Sequence, residues 1–125
     1  MDKAEYQSRL EELNSLVKKE DYEGALAVVE AVDWRRVKSL RTLGMVADVY
    51  EANKRYPEAK KILLMAYDRS SIGKGILYRL VEVSVKMKDF DEAIDFYNEF
   101  EAVARHDNSR YLLKYKILKR TESAA

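Results

Sequence analysis

The sequence predicts an all-α fold in which antiparallel helix pairs stack into a right-handed solenoid. The first observation is a repeat: an aromatic residue followed three positions later by alanine occurs at 22–25, 56–59 and 90–93. Successive copies are 34 residues apart, which is the length of one helix–turn–helix unit. The second observation is composition, because four Gly and one Pro among 125 residues leave few helix breakers. Since one helix pair buries too little apolar surface to be stable alone, three pairs are close to the minimum.

The individual helices follow from apolar residues that recur every three or four positions. In chain order, the sequence predicts helices over about 3–19, 22–33, 36–54, 56–69, 71–88, 90–105 and 108–121. The first helix has its apolar stripe at Leu10, Leu13, Leu16 and Val17. The other helices have their own expected inward-facing residues. These are Ala25, Leu26, Val28, Val29 and Val32 in the second helix, Leu40, Leu43, Ala47 and Tyr50 in the third, and Ala59, Ile62, Leu63 and Ala66 in the fourth. They are Leu77, Leu80 and Val81 in the fifth helix, Ala93, Ile94, Tyr97 and Phe100 in the sixth, and Tyr111, Leu112, Tyr115 and Leu118 in the seventh.

Polar residues of the kind that cap helix N-termini precede most of these segments. Their side-chain oxygens accept hydrogen bonds from the free backbone N–H groups in the first turn of a helix. The candidate caps are Asp21, Asp33, Ser71, Asp89 and the pair Asp107 and Asn108. Pro57 lies in the first turn of the fourth predicted helix, where its missing N–H removes no helical hydrogen bond.

The 34-residue period and the alanine of each second helix resemble those of tetratricopeptide repeat (TPR) proteins. The resemblance covers about 6–120 and implies one domain over 1–121, with repeats at about 6–39, 40–73 and 74–107, a capping helix at about 108–121 and a tail at 122–125. The family's first-helix Trp-Leu-Gly-Tyr motif is degraded here: the second repeat has Leu43, Val46, Ala47 and Tyr50, and the third has Leu77, Leu80, Val81 and Ser84. A related helical-pair solenoid with looser geometry is the alternative.

The last predicted helix also resembles the first half of a fourth repeat. The chain is therefore equally similar to a three-repeat protein with a capping helix and to the N-terminal part of a longer, uncharacterised bacterial TPR protein. Its first residues are acidic and amphipathic, without the apolar stretch that export or membrane spanning requires. The absence of cysteine permits a reducing compartment, and we expect the protein to be cytoplasmic.

The sequence offers little support for catalysis, and we expect neither an enzyme nor a cofactor or metal site. His106 is the single histidine and cysteine is absent, so nucleophile–histidine pairs and transition-metal sites lack their usual residues. Around Gly73 and Gly75 the chain superficially resembles a phosphate-binding loop, but the spacing of glycine and lysine does not match that motif. Trp34, the single tryptophan, is expected to pack at a helix junction rather than to stack on a ligand.

In TPR proteins the first helix of each pair lines a concave surface that commonly holds a peptide. The resemblance therefore implies a non-catalytic scaffold or adaptor that binds a protein segment in this groove. Projecting the helix periodicity onto the first, third, fifth and seventh helices gives the candidate peptide-binding residues Asn14, Arg41, Met45, Asp48, Tyr78, Arg79, Glu82, Lys86 and Lys116. Charges of both signs beside a few apolar anchors suit peptide recognition. The alternative is that these residues form ordinary solvated helix faces.

One specific partner is disfavoured by the same resemblance. Some TPR proteins bind the acidic C-termini of Hsp70 and Hsp90 through two Lys, two Asn and one Arg. The corresponding positions in this chain are Leu10, Asn14, Met45, Gly75 and Arg79. Only Asn14 and Arg79 match, and both lysines are absent, so binding of these chaperone tails is not expected.

Charge is segregated along the chain although the formal net charge is only +1. Formal charges are −5 over 1–34, +8 over 35–88, −6 over 89–107 and +4 over 108–125. Such blocks can steer a charged partner. The basic block at 35–88 and the basic last helix leave nucleic-acid binding as a less favoured alternative, because a nucleic-acid module usually has a larger basic excess. Self-association through the ends of the solenoid, by Tyr111 and Tyr115, is the other alternative.

Overall fold

A computed structural model describes residues 1–70, 73–104 and 109–124 of the chain; at 109–112 and 121–124 it describes the backbone alone. Within these ranges every regular element is a helix, which confirms the predicted all-α fold built from helix pairs. The helices are α1 (Lys3–Lys18), α2 (Tyr22–Glu30), α3 (Leu40–Ala52), α4 (Tyr56–Arg69), α5 (Lys74–Lys86), α6 (Phe90–Val103) and α7 (Ser109–Ala124). The chain forms two compact units, Met1–Ile62 and Leu63–Ala125, which are described separately below.

Two of the predicted aspartate caps are confirmed. The Asp21 carboxylate accepts a hydrogen bond from the Gly24 backbone N–H at 2.9 Å, at the start of α2. The Asp89 carboxylate accepts one from the Glu92 N–H at 3.3 Å, at the start of α6. Each bond satisfies an N–H group that the helix itself leaves without a partner. The predicted caps Ser71, Asp107 and Asn108 lie outside the described residues.

The predicted start of the third helix is wrong, and so is the role of Asp33. Its carboxylate accepts hydrogen bonds from the backbone N–H of Arg35 at 3.0 Å and from the Arg35 guanidinium at 2.7 Å, which closes a local turn. The cap of α3 is instead Ser39, whose hydroxyl accepts a bond from the Thr42 N–H at 3.2 Å. The helix therefore begins at Leu40, directly after this cap.

The turn inside each helix pair has the same backbone conformation. Glu20, Lys54 and Lys88 have positive φ values of 59°, 58° and 61°, and they are 34 residues apart. In each turn the N–H of the following residue donates to the carbonyl five positions earlier, at 2.8–2.9 Å. This is the bond that closes a helix ending in a left-handed residue. The period found in the side chains is therefore also a period of the backbone.

In the unit Met1–Ile62, α1 packs on α2 and α2 packs on α3. Its core contains the fully buried Leu13, Val29 and Leu43. The repeated alanine at Ala25 is also fully buried, as expected where two helices approach closely. The side chain of Asn53 ties two pairs together, because its Nδ2 donates to the Tyr22 carbonyl at 2.9 Å and to the Val49 carbonyl at 2.8 Å.

Trp34 packs at the junction between α2 and α3, as the sequence predicts. It is 5% exposed, and its Nε1–H donates a hydrogen bond to the Val29 carbonyl at 2.8 Å. The ring of Tyr6 on α1 meets the indole edge-on, with ring centroids 6.3 Å apart. A buried indole whose polar edge is bonded internally stabilises the fold.

In the unit Leu63–Ala125, α5 packs on α6, and α7 packs on both. The core contains Leu77 and Leu80 from α5, Phe100 from α6 and Leu113 from α7, each at most 1% exposed. The repeated alanine of this unit, Ala93, is fully buried. The helix that supplies the last part of this core, α7, also supplies one wall of the site described below.

Four residues that the sequence places in the core are exposed instead: Leu40, Ile94, Tyr115 and Leu118, at 41%, 46%, 58% and 56%. Leu40 is the first residue of α3 and precedes its buried stripe. The buried stripe of α6 runs through Ala93, Tyr97 and Phe100, so the residue after Ala93 faces away from it. Among the described side chains of α7, Leu113 and Ile117 are buried, and the predicted stripe is out of phase with them. The predicted Tyr111 and Leu112 lie outside the described side chains.

Candidate functional site

The nine residues predicted for the groove fall on the helices expected of them. In the first unit, Asn14 lies on α1, and Arg41, Met45 and Asp48 lie on α3. The α3 residues are four and three positions apart, so that they share one helix face. Met45 is half-buried, and the other three residues are exposed. In the second unit, the remaining candidates lie on α5 and α7: Tyr78, Arg79, Glu82, Lys86 and Lys116.

Three of the second set form one polar cluster, which joins α5 to α7. The Lys116 ammonium donates hydrogen bonds to Glu82 Oε2 at 3.0 Å and to the Tyr78 hydroxyl at 3.3 Å. The same ammonium lies 5.4 Å from the centroid of the Tyr78 ring. Tyr78 and Glu82 are one helical turn apart on α5, and Tyr78 in turn meets the buried Phe100 edge-on at 5.7 Å. Through Tyr78, the cluster therefore packs against the core of the unit.

The protonation of this cluster follows from its geometry. The hydrogen bond to Glu82, and after it the bond to Tyr78, raises the pKa of Lys116 above its ordinary value. A raised pKa means that folding favours the ammonium form. The stabilisation that the cluster gives is therefore fully present below the ordinary lysine pKa and is lost as the pH rises through the folded-state pKa.

Replacing Glu82 by Gln should lower the pKa of Lys116 towards the ordinary lysine value. The amide keeps the size of the side chain but removes the negative charge that favours the ammonium. A carbon-13 NMR titration that follows the Lys116 Cε signal between neutral and strongly alkaline pH measures this directly. Glu101→Gln, an exposed change on α6, is the control and should leave the titration unchanged. A Lys116 titration identical in the wild type and in Glu82→Gln would contradict the pairing.

A cleft of about 470 Å³ opens beside the cluster; we call it the α5–α7 cleft. Its lining residues are Glu82, Val85, Lys86, Leu113, Tyr115, Lys116, Lys119 and Arg120. Val85 and Leu113 lie at its base and are almost fully buried. The charged residues and the exposed ring of Tyr115 form its rim, and the Lys119 ammonium lies 5.9 Å from the centroid of that ring. A concave surface that combines an exposed aromatic ring with charged side chains is a candidate binding site.

Sequence reasoning finds part of this lining and misses the rest. The predicted Glu82, Lys86 and Lys116 line the cleft, and Tyr78 adjoins it through Lys116. Tyr115 is missed as a lining residue because the predicted α7 stripe, which has the wrong phase, places it in the core. With the stripe placed at 113 and 117, helix periodicity puts 116, 119 and 120 beside it on one face.

A second cleft, of about 910 Å³, lies in the first unit and contains none of the nine predicted residues. Its walls are the N-terminal residues and the connection between α2 and α3: Met1, Asp2, Lys3, Tyr6, Val32, Asp33, Arg35, Arg36, Val37, Lys38 and Ser39. Arg35 and Asp33 on its wall form an ion pair at 2.7 Å. The Arg35 guanidinium holds the pKa of the Asp33 carboxyl well below its usual range, so this pair stays ionised at neutral pH.

The described residues contain neither a cluster that could bind a metal ion nor a helix that could span a membrane. No three His, Asp or Glu side chains among them converge closely enough to hold a metal ion. None of the helices in the described ranges is both long enough and apolar enough to cross a membrane.

Comparison with known proteins identifies the fold. No protein-family model matches the chain, and no curated protein matches it in sequence. Among solved structures, the Yersinia enterocolitica type III secretion chaperone SycD, in complex with a peptide of the translocator YopD, matches with a TM-score of 0.68 and 11% identity over 98% of this chain and 93% of that one. PcrH in complex with the chaperone binding region of PopD matches with a TM-score of 0.65 and 10% identity, over 98% and 92%.

PcrH from Pseudomonas aeruginosa matches as well, with a TM-score of 0.63 and 11% identity over 98% of this chain and 93% of that one. At such low identity the likeness shows the fold and leaves the partner of this chain open. The chain thus has the all-helical fold found in these secretion chaperones.

Proposed function

We propose that this chain is a non-catalytic module that binds a peptide or protein segment, and that the α5–α7 cleft holds part of that segment. The observation that carries the proposal is the cleft itself. The exposed ring of Tyr115 offers apolar surface to one side chain of a ligand, and the charged side chains of the lining offer hydrogen bonds to its backbone or its polar groups. Apolar anchors surrounded by polar contacts supply most of the binding energy in peptide recognition.

The fold comparison supports the same class of function. Two of the similar structures were solved with a bound peptide or binding region of another protein: SycD with a YopD peptide, and PcrH with a region of PopD. Peptide binding is therefore compatible with this arrangement of helices. The identity of the partner does not follow from the fold.

The four candidate residues of the first unit would form a second surface that contacts a bound peptide. Arg41, Met45 and Asp48 present a cation, a half-buried thioether and an anion along one face of α3. Methionine adapts to varied apolar side chains, and charges of both signs suit a mixed peptide. Asn14 on α1 adds a side chain that can both donate and accept hydrogen bonds.

Selection from a displayed library of random peptides tests the proposal without assuming a particular partner. The double variant Tyr115→Ala/Lys116→Ala should reduce the enrichment of peptides selected by the wild type by about tenfold or more, because it removes one rim of the cleft. The matched control is Lys114→Ala/Leu118→Ala, which removes one lysine and one exposed apolar side chain from α7 outside the cleft lining.

The control should enrich the same peptides as the wild type, and far-UV circular dichroism checks that all three proteins are equally helical. Equal enrichment by the wild type and the Tyr115→Ala/Lys116→Ala variant would remove the α5–α7 cleft from the proposal. A wild type that enriches no peptide over an unrelated bait would overturn the proposed function.

A further inference from the structure

We infer that the cleft of about 910 Å³ in the first unit, which we call the first-unit cleft, binds an organic phosphate: a phosphomonoester group attached to an aromatic or apolar body. Three features of the cleft carry this assignment. They are the charges of its lining, the hydrogen bonds that fix its backbone, and the half-buried Tyr6 in its wall. The first-unit cleft lies in a different unit from the α5–α7 cleft, so that the two proposals can fail separately.

The charged side chains of this lining leave an excess of positive charge. Four of them are cations and two are anions: Lys3, Arg35, Arg36 and Lys38 against Asp2 and Asp33. Asp33 is neutralised by Arg35 at 2.7 Å. The other three cations then face Asp2 alone, which leaves two positive charges at a concave surface. Charges of one sign at a concave surface reinforce each other and attract anions.

The cations behind this excess are available to a ligand. In the part of the chain that the structure describes, no side chain or carbonyl bonds the ammonium groups of Lys3 and Lys38, and both residues are exposed. Arg36 is exposed as well; after the stronger hydrogen bonds of Arg35, its charge alone helps to lower the pKa of the Asp33 carboxyl. Guanidinium and ammonium groups form strong, charge-assisted hydrogen bonds with phosphate oxygens.

The backbone between α2 and α3, which carries two of these cations, is fixed by internal hydrogen bonds. The Asp33 carboxylate accepts a bond from the Arg35 N–H at 3.0 Å, and the Val37 N–H donates to the Trp34 carbonyl at 3.1 Å. Beyond them, the Ser39 hydroxyl caps α3. A connection that is already ordered loses less conformational entropy when a ligand binds, so that more of the contact energy appears as affinity.

Tyr6 gives the cleft an aromatic wall. The residue is half-buried, its ring meets Trp34 edge-on at 6.3 Å, and none of the described residues bonds its hydroxyl. A tyrosine in this state contacts an apolar group with its ring and donates a hydrogen bond from its hydroxyl. Val37, which is also half-buried, adds aliphatic surface. An organic body beside the phosphate therefore has a surface to contact.

A phosphomonoester matches this lining better than a carboxylate or a nucleic acid does. It carries a charge of about −1.5 to −2 at neutral pH and three acceptor oxygens, which is close to the two positive charges of the cleft. A single carboxylate brings one negative charge. A nucleic acid gains affinity from many phosphates along a continuous basic track. The formal charge over 1–34 is −5, so the chain that leads into the cleft offers no such track.

Calorimetric titration of the whole chain with three small probes tests the inference. Phenyl phosphate combines a dianion with a ring, benzenesulfonate keeps the ring with one charge, and inorganic phosphate keeps the charge without the ring. At low salt and slightly alkaline pH, the wild type should bind phenyl phosphate about tenfold more tightly than either of the other two.

Two double variants locate the site. Lys3→Gln/Lys38→Gln should weaken the binding of phenyl phosphate by about tenfold or more, because it removes the charge excess of the cleft. Lys18→Gln/Lys19→Gln removes two exposed lysines outside the lining and should leave the affinity unchanged. Far-UV circular dichroism checks that both variants are as helical as the wild type.

The same phosphate chemistry occurs in free organic phosphates and on phosphorylated side chains of proteins. Titration with a blocked Gly-phosphotyrosine-Gly peptide beside phenyl phosphate distinguishes these sources. Tighter binding of the peptide assigns the cleft to a phosphorylated segment, and equal or weaker binding assigns it to a free phosphate.

Three results would overturn the inference. Equal affinities for phenyl phosphate and benzenesulfonate would remove the phosphate as the ligand. An unchanged affinity in Lys3→Gln/Lys38→Gln, or an equal loss in both double variants, would remove the first-unit cleft as its site. Failure of the wild type to bind phenyl phosphate at millimolar concentration would remove both, and would leave peptide binding at the α5–α7 cleft untouched.

Discussion

Replacing Phe100 by Ala should lower the free energy of unfolding by about 3–5 kcal/mol. Phe100 is 1% exposed on α6, and its ring meets Tyr78 of α5 edge-on at 5.7 Å. Truncation to alanine removes a large apolar side chain from the core and also leaves a cavity that the surrounding helices fill only in part. It also removes an aromatic contact that contributes roughly 0.5–1.5 kcal/mol beyond the buried area.

Urea denaturation followed by far-UV circular dichroism measures this loss, and Val103→Ala is the matched control on the same helix. Val103 is 45% exposed, so its truncation should cost less than about 1 kcal/mol. If the two variants unfold at the same urea concentration, Phe100 does not belong to the core of this unit. Phe100 contacts Tyr78, and the Tyr78 hydroxyl accepts a hydrogen bond from Lys116, which lines the α5–α7 cleft. We therefore expect Phe100→Ala to weaken peptide enrichment as well.

The repeat can be predicted from the sequence because it is written in two residue types, an aromatic and an alanine, with unambiguous spacing. The matching turn residues Glu20, Lys54 and Lys88 carry the same period. Their conformation is hard to predict because a left-handed residue after a helix is usually glycine, and charged side chains at that place give no such indication. The backbone conformation is imposed by the closing hydrogen bond of each turn.

The start of α3 cannot be predicted from local chemistry alone. Asp33 and Ser39 are both good helix caps, and propensity does not choose between them. In the structure Ser39 caps α3, while the Asp33 carboxylate bonds the backbone N–H and the guanidinium of Arg35. Competition of this kind between side chains depends on geometry that the sequence does not display.

Part of the site can be predicted from the period itself. Glu82 and Lys116 are 34 residues apart, so they occupy equivalent positions in the predicted repeat register. Stacked repeats bring equivalent positions side by side, and opposite charges there form a pair. Tyr115 and Arg120 cannot be placed in the same way, because they depend on which face of α7 meets α5 and α6.

The phase of α7 is tested most sharply by two adjacent residues. Ile117→Ala should lower the free energy of unfolding by about 2–5 kcal/mol, whereas Leu118→Ala should lower it by less than about 1 kcal/mol. Ile117 is 6% exposed and Leu118 is 56% exposed, although apolar periodicity favours Leu118 for the core. The two variants delete side chains of equal carbon number from the same helix, so that burial is the main difference between them.

The ambiguity arises because α7 has apolar residues around most of its circumference, and only the helices that it packs against select the inward face. Chemical denaturation of both variants, under the conditions used for the wild type, gives the comparison directly. A larger loss for Leu118→Ala than for Ile117→Ala would rotate α7 back to the phase that the sequence suggests. That rotation would change which α7 side chains border α5, and the α5–α7 cleft described above would be lost as a site.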